Sequence, residues 1–366
     1  MAAPSIYRLQ ILEQLLACKS IYLPQIRCSL PLQCHPDYAS VSRQANDWAF
    51  RFLKINATNA AAEKKCFTQW RTPLYGTFVV PWGDSRHALA AAKYTWLITI
   101  LDDAVDEEPS QRDEILEAYM SLASGQRSIA QVPNKPVLVA QAELVPDLRK
   151  LMSPLLFQRL LVSYRKFVGC YSAKVDEEEF TKESYAVHRR EDFIVKPMLN
   201  FTQMCLGVEL RDKDLESEEY LRAIDAMFDH MWLVNDIFSF PKELRKKTFK
   251  NIIFLLLFTD HTVRSVQQAV DKANAMIQEK EQEFMYYLEI LTRKAMESGN
   301  HDFLAYLRAI PAFIPGNLRW HYLTARYHGV DNPFLTGEPF SGTWLFHDTQ
   351  TIILPEYKPT HPHLQV

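Results

Sequence analysis

Two clusters of oxygen-bearing side chains stand out in this chain for the chemistry their spacing allows. The first is Asp102-Asp103-Ala104-Val105-Asp106, followed by Glu107 and Glu108. On an α-helix Asp102 and Asp106 share a face, and Thr95, Ile98 and Thr99 lie on it one and two turns earlier. Such a helix carries small and apolar residues deep down and carboxylates at its C-terminal end, where the helix dipole is also negative. Carboxylates gathered against the dipole call for a compensating cation, and hard oxygen ligands suit Mg2+. The second cluster is Asn235-Asp236-Ile237-Phe238-Ser239-Phe240-Pro241-Lys242-Glu243. Asn235, Ser239 and Glu243 recur every fourth residue, so an amide oxygen, a hydroxyl and a carboxylate line one helical stripe. Three oxygens at that pitch can hold one divalent ion, and Phe228, Met231 and Trp232 lie below them on the same face.

The two clusters differ in weight. At ordinary usage of charged residues, a D-D-x-x-[DE] string arises by chance in roughly one chain in six of this length. Fixing Asn235, Asp236, Ser239, Lys242 and Glu243 together has an expectation on the order of one in several thousand chains. The second cluster therefore carries the argument, and the first gains meaning from it.

Both clusters need helices to hold them. A strong helix, rich in alanine and leucine, is expected from about 85 to 108, stopping at Pro109. The second cluster falls near the end of a helix expected over about 216–245, which Pro241 bends by removing one backbone hydrogen bond. Further helices are expected over about 41–54, 111–124, 154–176, 181–195, 197–211, 248–259, 262–298 and 302–328, with a break bracketed by Pro73, Pro81 and Gly83. Prolines at 4, 24, 31 and 36 interrupt the first stretch, and five more after 329 make the end an extended tail.

Composition agrees with an all-α chain. Glycine is scarce, at 10 of 366 residues, and neither a dinucleotide-binding nor a P-loop glycine motif is present. Hydrophobic residues make up 48% and charged residues 23%, the proportions of a globular protein. A net charge of −3 removes the electrostatic argument for nucleic-acid binding. The run Ile252 to Phe258 is far short of the ~20 residues a membrane helix needs. Six cysteines without a C-x-x-C pair, and an N-terminus without a signal-peptide pattern, lead us to expect a cytoplasmic protein. His188, His230, His361 and His363 lack zinc-like spacing with a third ligand.

Taken together, the two clusters resemble the metal motifs of class I terpene synthases. Asp102-Asp103-x-x-Asp106 is similar to that family's aspartate-rich motif, and Asn235, Ser239 and Glu243 with Lys242 to its second motif, in the right order. Arg326-Tyr327 resembles the family's late Arg-Tyr pair, preceded by Trp320 at a familiar spacing. Arg189, 46 residues before Asn235, stands where short microbial members carry an arginine that senses diphosphate, with Arg190 as its rival. Asp192 matches the family's linker aspartate, whereas Phe193 replaces a small residue. The resemblance covers roughly His35 to Gly329 and has the length of the fungal and bacterial type. It implies one class I terpenoid synthase-like helical bundle around a central active-site cavity, spanning 35–329, with an N-terminal segment 1–34 and a C-terminal extended tail 330–366.

The activity the resemblance implies is that of a sesquiterpene synthase. Mg2+, three ions by resemblance with Mn2+ as an alternative, would be held by Asp102 and by Asn235, Ser239 and Glu243. Asp103 and Asp106 would support the first site through water or by pairing with basic side chains. Arg189, Lys242, Arg326 and Tyr327 would donate to the diphosphate, and the resulting allylic cation would cyclise in a dry cavity. Ile98, Thr99 and the aromatics Phe78, Trp82, Phe193, Phe228, Trp232, Phe313 and Trp320 are the candidate wall. Core packing is the better expectation for any one ring, and packing of the last helix the alternative for Trp320, but each ring that faces the cavity would stabilise a cation by about 1–2 kcal/mol. The basic run Arg245 to Lys250 reads as a solvated loop, with a lid over the diphosphate as the alternative. Farnesyl diphosphate is the expected substrate, ahead of geranyl and geranylgeranyl diphosphate, and the protein is expected to act as a monomer or homodimer. A chain-elongating prenyltransferase would carry aspartate-rich motifs at both sites, and a silent isoprenoid-binding module would not keep both ligand sets.

Overall fold

The computed structural model describes residues 15, 17–172, 180–193, 195–246, 250–328 and 341–346. Residues 1–14 and 16 of the expected N-terminal segment, most of the tail, the end of the helix expected over 154–176, and positions 247–249 of the basic run lie outside the described residues, as do His361 and His363. After strand β1 (Ser20–Leu23) come α1 (Tyr38–Ala49), α2 (Ala60–Gln69), α3 (Thr72–Val79), α4 (Ser85–Glu107), α5 (Arg112–Ser124), α6 (Pro136–Leu151), α7 (Pro154–Ser172), α8 (Lys182–Asp192) and α9 (Met198–Leu206). The chain continues through α10 (Asp212–Leu215), α11 (Glu218–Lys246), α12 (Ile252–Thr259), α13 (Val266–Glu297), α14 (His301–Ala309), α15 (Phe313–Leu323) and α16 (Ala325–His328) to strand β2 (Gly342–Leu345).

Two central helices carry the two oxygen clusters. α4 starts at a capping box, in which the Asp84 carboxylate accepts from the backbone N–H of Arg86 at 2.9 Å and of His87 at 3.2 Å. It ends at Glu107, two residues before Pro109, as the sequence requires. α11 is buried almost all round from Ala226 to Pro241, the signature of a helix enclosed by others. It runs unbroken through Pro241 to Lys246. Both helices end at one rim, where Lys246 of α11 reaches Asp106 of α4 at 3.3 Å.

Four departures from the expected elements shape the site. The break expected around Pro73 is instead helix α3, because a proline in the first turn gives up an N–H that has no helical partner anyway. α3 is wedged between α4 and α15 by two glycines. A Cβ on Gly76 would sit 3.0 Å from the Ala91 carbonyl, and one on Gly316 would sit 3.0 Å from the backbone of Phe78. Gly316→Ala is therefore expected to lower stability by about 1–3 kcal/mol, the usual cost of overpacking. A thermal midpoint equal to that of the unaltered protein would contradict this close approach.

Second, α6 was not anticipated, although its buried residues Val137, Gln141, Leu144, Val145 and Leu148 keep helical spacing; its Pro146 faces outward. Third, the single helix expected over 302–328 is broken. Pro311 falls in a one-turn link at Ile310–Ala312, and Thr324 leaves the helical conformation with ψ at 131°. Fourth, part of the tail is a strand: β2 pairs antiparallel with β1, with Ile21 opposite Trp344. Trp344 is buried against Phe238 of α11 and His328 of α16. β1 is fastened to α13 by Gln267, whose side chain both accepts from the Tyr22 N–H and donates to its carbonyl, each at 2.8 Å. No helix among the described residues is long and apolar enough to cross a membrane.

Candidate active site

The rim shared by α4 and α11 opens into a cavity of about 230 Å3, lined from α3, α4, α8, α11, α15 and α16. Among the sequence-selected residues, Ile98, Thr99, Asp102, Asp106, Arg189, Asp192, Phe193, Asn235, Ser239, Lys242, Glu243, Trp320, Arg326 and Tyr327 all line it. Residues from six helices spread over more than two hundred positions thus meet in one hollow.

One side is organised by Arg326. The break at Thr324 sets its direction: the Thr324 hydroxyl donates to the Trp70 carbonyl at 2.7 Å and accepts from the Arg326 N–H at 3.2 Å. The guanidinium then donates to both Asp103 oxygens, at 3.0 and 2.7 Å, and to Asp102 at 3.1 Å, while lying over the Trp70 ring. Burial works against the Asp103 carboxylate, yet Arg326 overrides it and holds the group below the usual range. Asp103 is absent from the lining and is taken up by this pair, and Asp106 pairs with Lys246. Asp102 keeps 38% of its side chain open.

The opposite side is organised by Arg189. It donates to Asp192 at 2.9 Å, to the Asn235 amide oxygen at 3.0 Å and to Asp236 at 2.8 Å. Asp236 is wholly buried and is held in addition by the Tyr185 hydroxyl at 2.6 Å and the Ile252 N–H at 2.9 Å. Arg190 turns away, to Asp225 and Asp229. The Phe193 carbonyl accepts from the N–H groups of Val195 and Lys196, so it closes the turn after α8.

Several residues do not reach the cavity. Phe78, Trp82, Phe228, Trp232 and Phe313 are absent from its lining. The space beneath the second cluster is filled by other helices. Trp232 meets Tyr185 edge-on and donates to Asp229 at 2.9 Å, Phe78 backs onto Gly316, and Phe228 and Phe313 are fully buried in the core. Trp82 packs half-buried against that core. The aromatic wall consists instead of Tyr75, Phe193, Trp320 and Tyr327, with His321 beside them. Tyr75 and Thr72 were missed because they lie on α3, where prolines suggested a break. Lys246 and Lys250 belong to the supposedly solvated basic run, but both line the cavity, and Lys250 pairs with Asp192. The alternative reading of that run, a lid over the diphosphate, points toward this position.

The donor set fits a hard divalent cation. Asn235, Ser239 and Glu243 face the cavity from successive turns of α11, opposite Asp102 on α4. The Ser239 hydroxyl is buried next to the Glu243 carboxylate without a well-formed hydrogen bond, an expensive arrangement for a group not meant to ligate. Burial, reinforced by Asp236, pushes the Glu243 carboxyl up to about 7, although Asn251 donates to it at 2.7 Å. A cation must displace that proton. Mg2+ affinity is accordingly expected to fall about tenfold per pH step below 7 and to level off above it. Calorimetric titrations between pH 5.5 and 8.5 check this, and Glu243→Gln should flatten the profile.

Known proteins resemble this chain in sequence and in fold. Residues 93–283 match the family described as terpene synthase family 2, C-terminal metal binding. The (E)-2-epi-beta-caryophyllene synthase of Selaginella moellendorffii is 34% identical, over 91% of this chain and 92% of its own. The (3S,6E)-nerolidol synthase of the same organism is 30% identical, over 91% and 90%. The crystal structure of germacradien-4-ol synthase from Streptomyces citricolor shares the fold, with a TM-score of 0.69 at 15% identity over 81% of this chain and 98% of its own.

Proposed function

This chain belongs to the terpene synthase family, and on that premise we propose that it is a sesquiterpene synthase. It ionises farnesyl diphosphate with Mg2+, converts the allylic cation to a sesquiterpene hydrocarbon or alcohol, and releases diphosphate. The observation that supports this reading best is the convergence of Asp102, Asn235, Ser239 and Glu243 with Arg189, Lys242, Arg326 and Tyr327 on one cavity.

Bound Mg2+ would supply Lewis-acid charge to the departing diphosphate. The rest falls to the chain. Arg189 and Arg326 present planar forks suited to phosphate oxygens, each already aligned by carboxylates that lock its direction. Lys242 adds an ammonium at the same rim, and burial together with Arg326 presses its pKa down, so an arriving anion relieves a crowded positive charge. Tyr327 offers its hydroxyl beside Asn235, at 3.1 Å. Below, Tyr75, Phe193, Trp320 and Ile98 line the cavity; they exclude water and turn aromatic faces to the cation. The second cluster is of the asparagine-serine-glutamate kind, which favours cyclisation over chain elongation. The six free cysteines suit a reducing cytoplasm, and the protein would act there as a monomer or homodimer.

The test is incubation with geranyl, farnesyl and geranylgeranyl diphosphate, with and without Mg2+, followed by gas chromatography–mass spectrometry. A C15 hydrocarbon or alcohol formed only from farnesyl diphosphate with Mg2+ is the expected result. No turnover of any of the three would overturn the synthase reading, and longer diphosphates formed on adding isopentenyl diphosphate would assign elongation instead.

A further inference from the structure

We propose that His321 is a positioning residue for the metal site, whose bare Nε2 accepts from the Asn235 side-chain amide and so fixes that amide with its oxygen toward the cavity. The inference rests on Asn235 being a metal ligand. A side-chain amide has two ends of nearly equal size and opposite hydrogen-bonding character. Only the oxygen can ligate a cation; half a turn about the last torsion would present two N–H donors in its place. Something must therefore choose the end.

The Asn235 nitrogen has two neighbours, the Tyr327 hydroxyl at 3.1 Å and His321 Nε2 at 3.1 Å. A hydroxyl both donates and accepts, so Tyr327 alone would tolerate either orientation. The histidine discriminates, because its other nitrogen is committed. His321 Nδ1 lies 2.8 Å from the main-chain oxygen of Asn317, which can only accept, so Nδ1 carries the hydrogen and Nε2 is the acceptor. Asn317 is itself fixed, its amide donating to the Met231 carbonyl at 3.1 Å and accepting from the Tyr75 hydroxyl at 3.3 Å.

The ring cannot swing out of this role. It is wholly buried, stacked parallel to Tyr327 with 5.6 Å between centroids, and set edge-on to Trp320 at 4.9 Å. On the far side of the amide, Arg189 donates to the oxygen at 3.0 Å. The metal-facing end of Asn235 is thus held from both sides, by the donor Arg189 at the oxygen and by a histidine on α15, 86 residues away, at the nitrogen, and the histidine orients the ligand without touching the ion.

The test compares His321→Phe, which keeps a flat buried ring but no acceptor, with His321→Gln, which restores one. Mg2+ binding is measured by calorimetry in the presence of inorganic pyrophosphate, with thermal midpoints to confirm folding. His321→Phe is expected to weaken Mg2+ binding about ten- to a hundredfold, and His321→Gln to recover most of that loss. In an Asn235→Ala background His321→Phe should change nothing further. Unchanged Mg2+ affinity in His321→Phe, or effects that simply add to those of Asn235→Ala, would overturn the proposal. Should His321→Phe not fold, the 15N spectrum of the unaltered protein decides: Nδ1 protonated and Nε2 bare is expected, and the opposite tautomer overturns it. Unaltered protein that takes up no Mg2+ with pyrophosphate would instead defeat the metal-site reading itself.

Discussion

Asn235→Ala is expected to weaken Mg2+ binding by a hundredfold or more and to abolish measurable product at millimolar Mg2+ while leaving the fold intact. The magnitude follows from position. Even residues that only orient a metal ligand contribute about ten- to a hundredfold, and Asn235 sits in the ligand stripe itself. It also accepts a hydrogen bond from Arg189 at 3.0 Å, so its loss would loosen the guanidinium that aligns with Asp192 and Asp236. Asn235→Asp would separate the two functions. It restores a hard oxygen ligand but adds charge next to Asp236 and deprives His321 of its donor, so partial recovery at high Mg2+ is expected. Metal titrations with pyrophosphate and product yields from farnesyl diphosphate measure both. Full activity of Asn235→Ala would contradict the metal site.

The second large effect concerns Arg326. Arg326→Ala should lower kcat/KM by about a hundred- to a thousandfold, the range seen when a preorganised charge partner of a developing anion is removed. It should also cost stability. In the absence of substrate the guanidinium is the partner of Asp102 and Asp103 and is stacked on Trp70. Both carboxylates keep about a third of their side-chain surface open, at 38% and 30%, so water takes over part of the lost bonding. The loss is then about 1–3 kcal/mol, the cost of an unsatisfied polar group, and not the larger figure for a fully buried charge. Arg326→Lys keeps the charge without the fork, so stability should return further than activity does. Thermal midpoints and steady-state kinetics on the same preparations distinguish the two effects. Equal recovery of both would mean that the fork is irrelevant and charge alone suffices.

The two oxygen clusters were legible in the sequence because each is written in helical periodicity, whereas Arg189, Arg326 and Tyr327 were picked out by the family resemblance. Whether Asp102 and Asp106, or Asn235, Ser239 and Glu243, share a face depends only on a repeat of about 3.6 residues, which is local to each helix. The limits of the first helix were equally local, set by Asp84 at its start and Pro109 after its end. Fold class followed from the same periodicity and from the scarcity of glycine.

What lies opposite those faces was not local, and there the sequence reading went astray. Phe228 and Trp232 point along the same stripe as Asn235, yet both end in packed core, Trp232 edge-on to Tyr185 of α8. The actual wall includes Thr72 and Tyr75 from α3, a helix that a proline-based reading dissolves and that two close glycine contacts hold in place. The directions of Arg326 and Tyr327 were set by a break at Thr324 that is pinned to the Trp70 carbonyl, 254 residues earlier. Lys246 and Lys250 were drawn into the cavity by Asp106 and Asp192, partners no spacing rule connects to them. The sequence by itself determined which oxygens and charges each helix displays, since display is a property of one helix. Only the tertiary structure decided which of them meet, what closes the floor beneath them and which end of the Asn235 amide faces inward, since those depend on how separate helices pack.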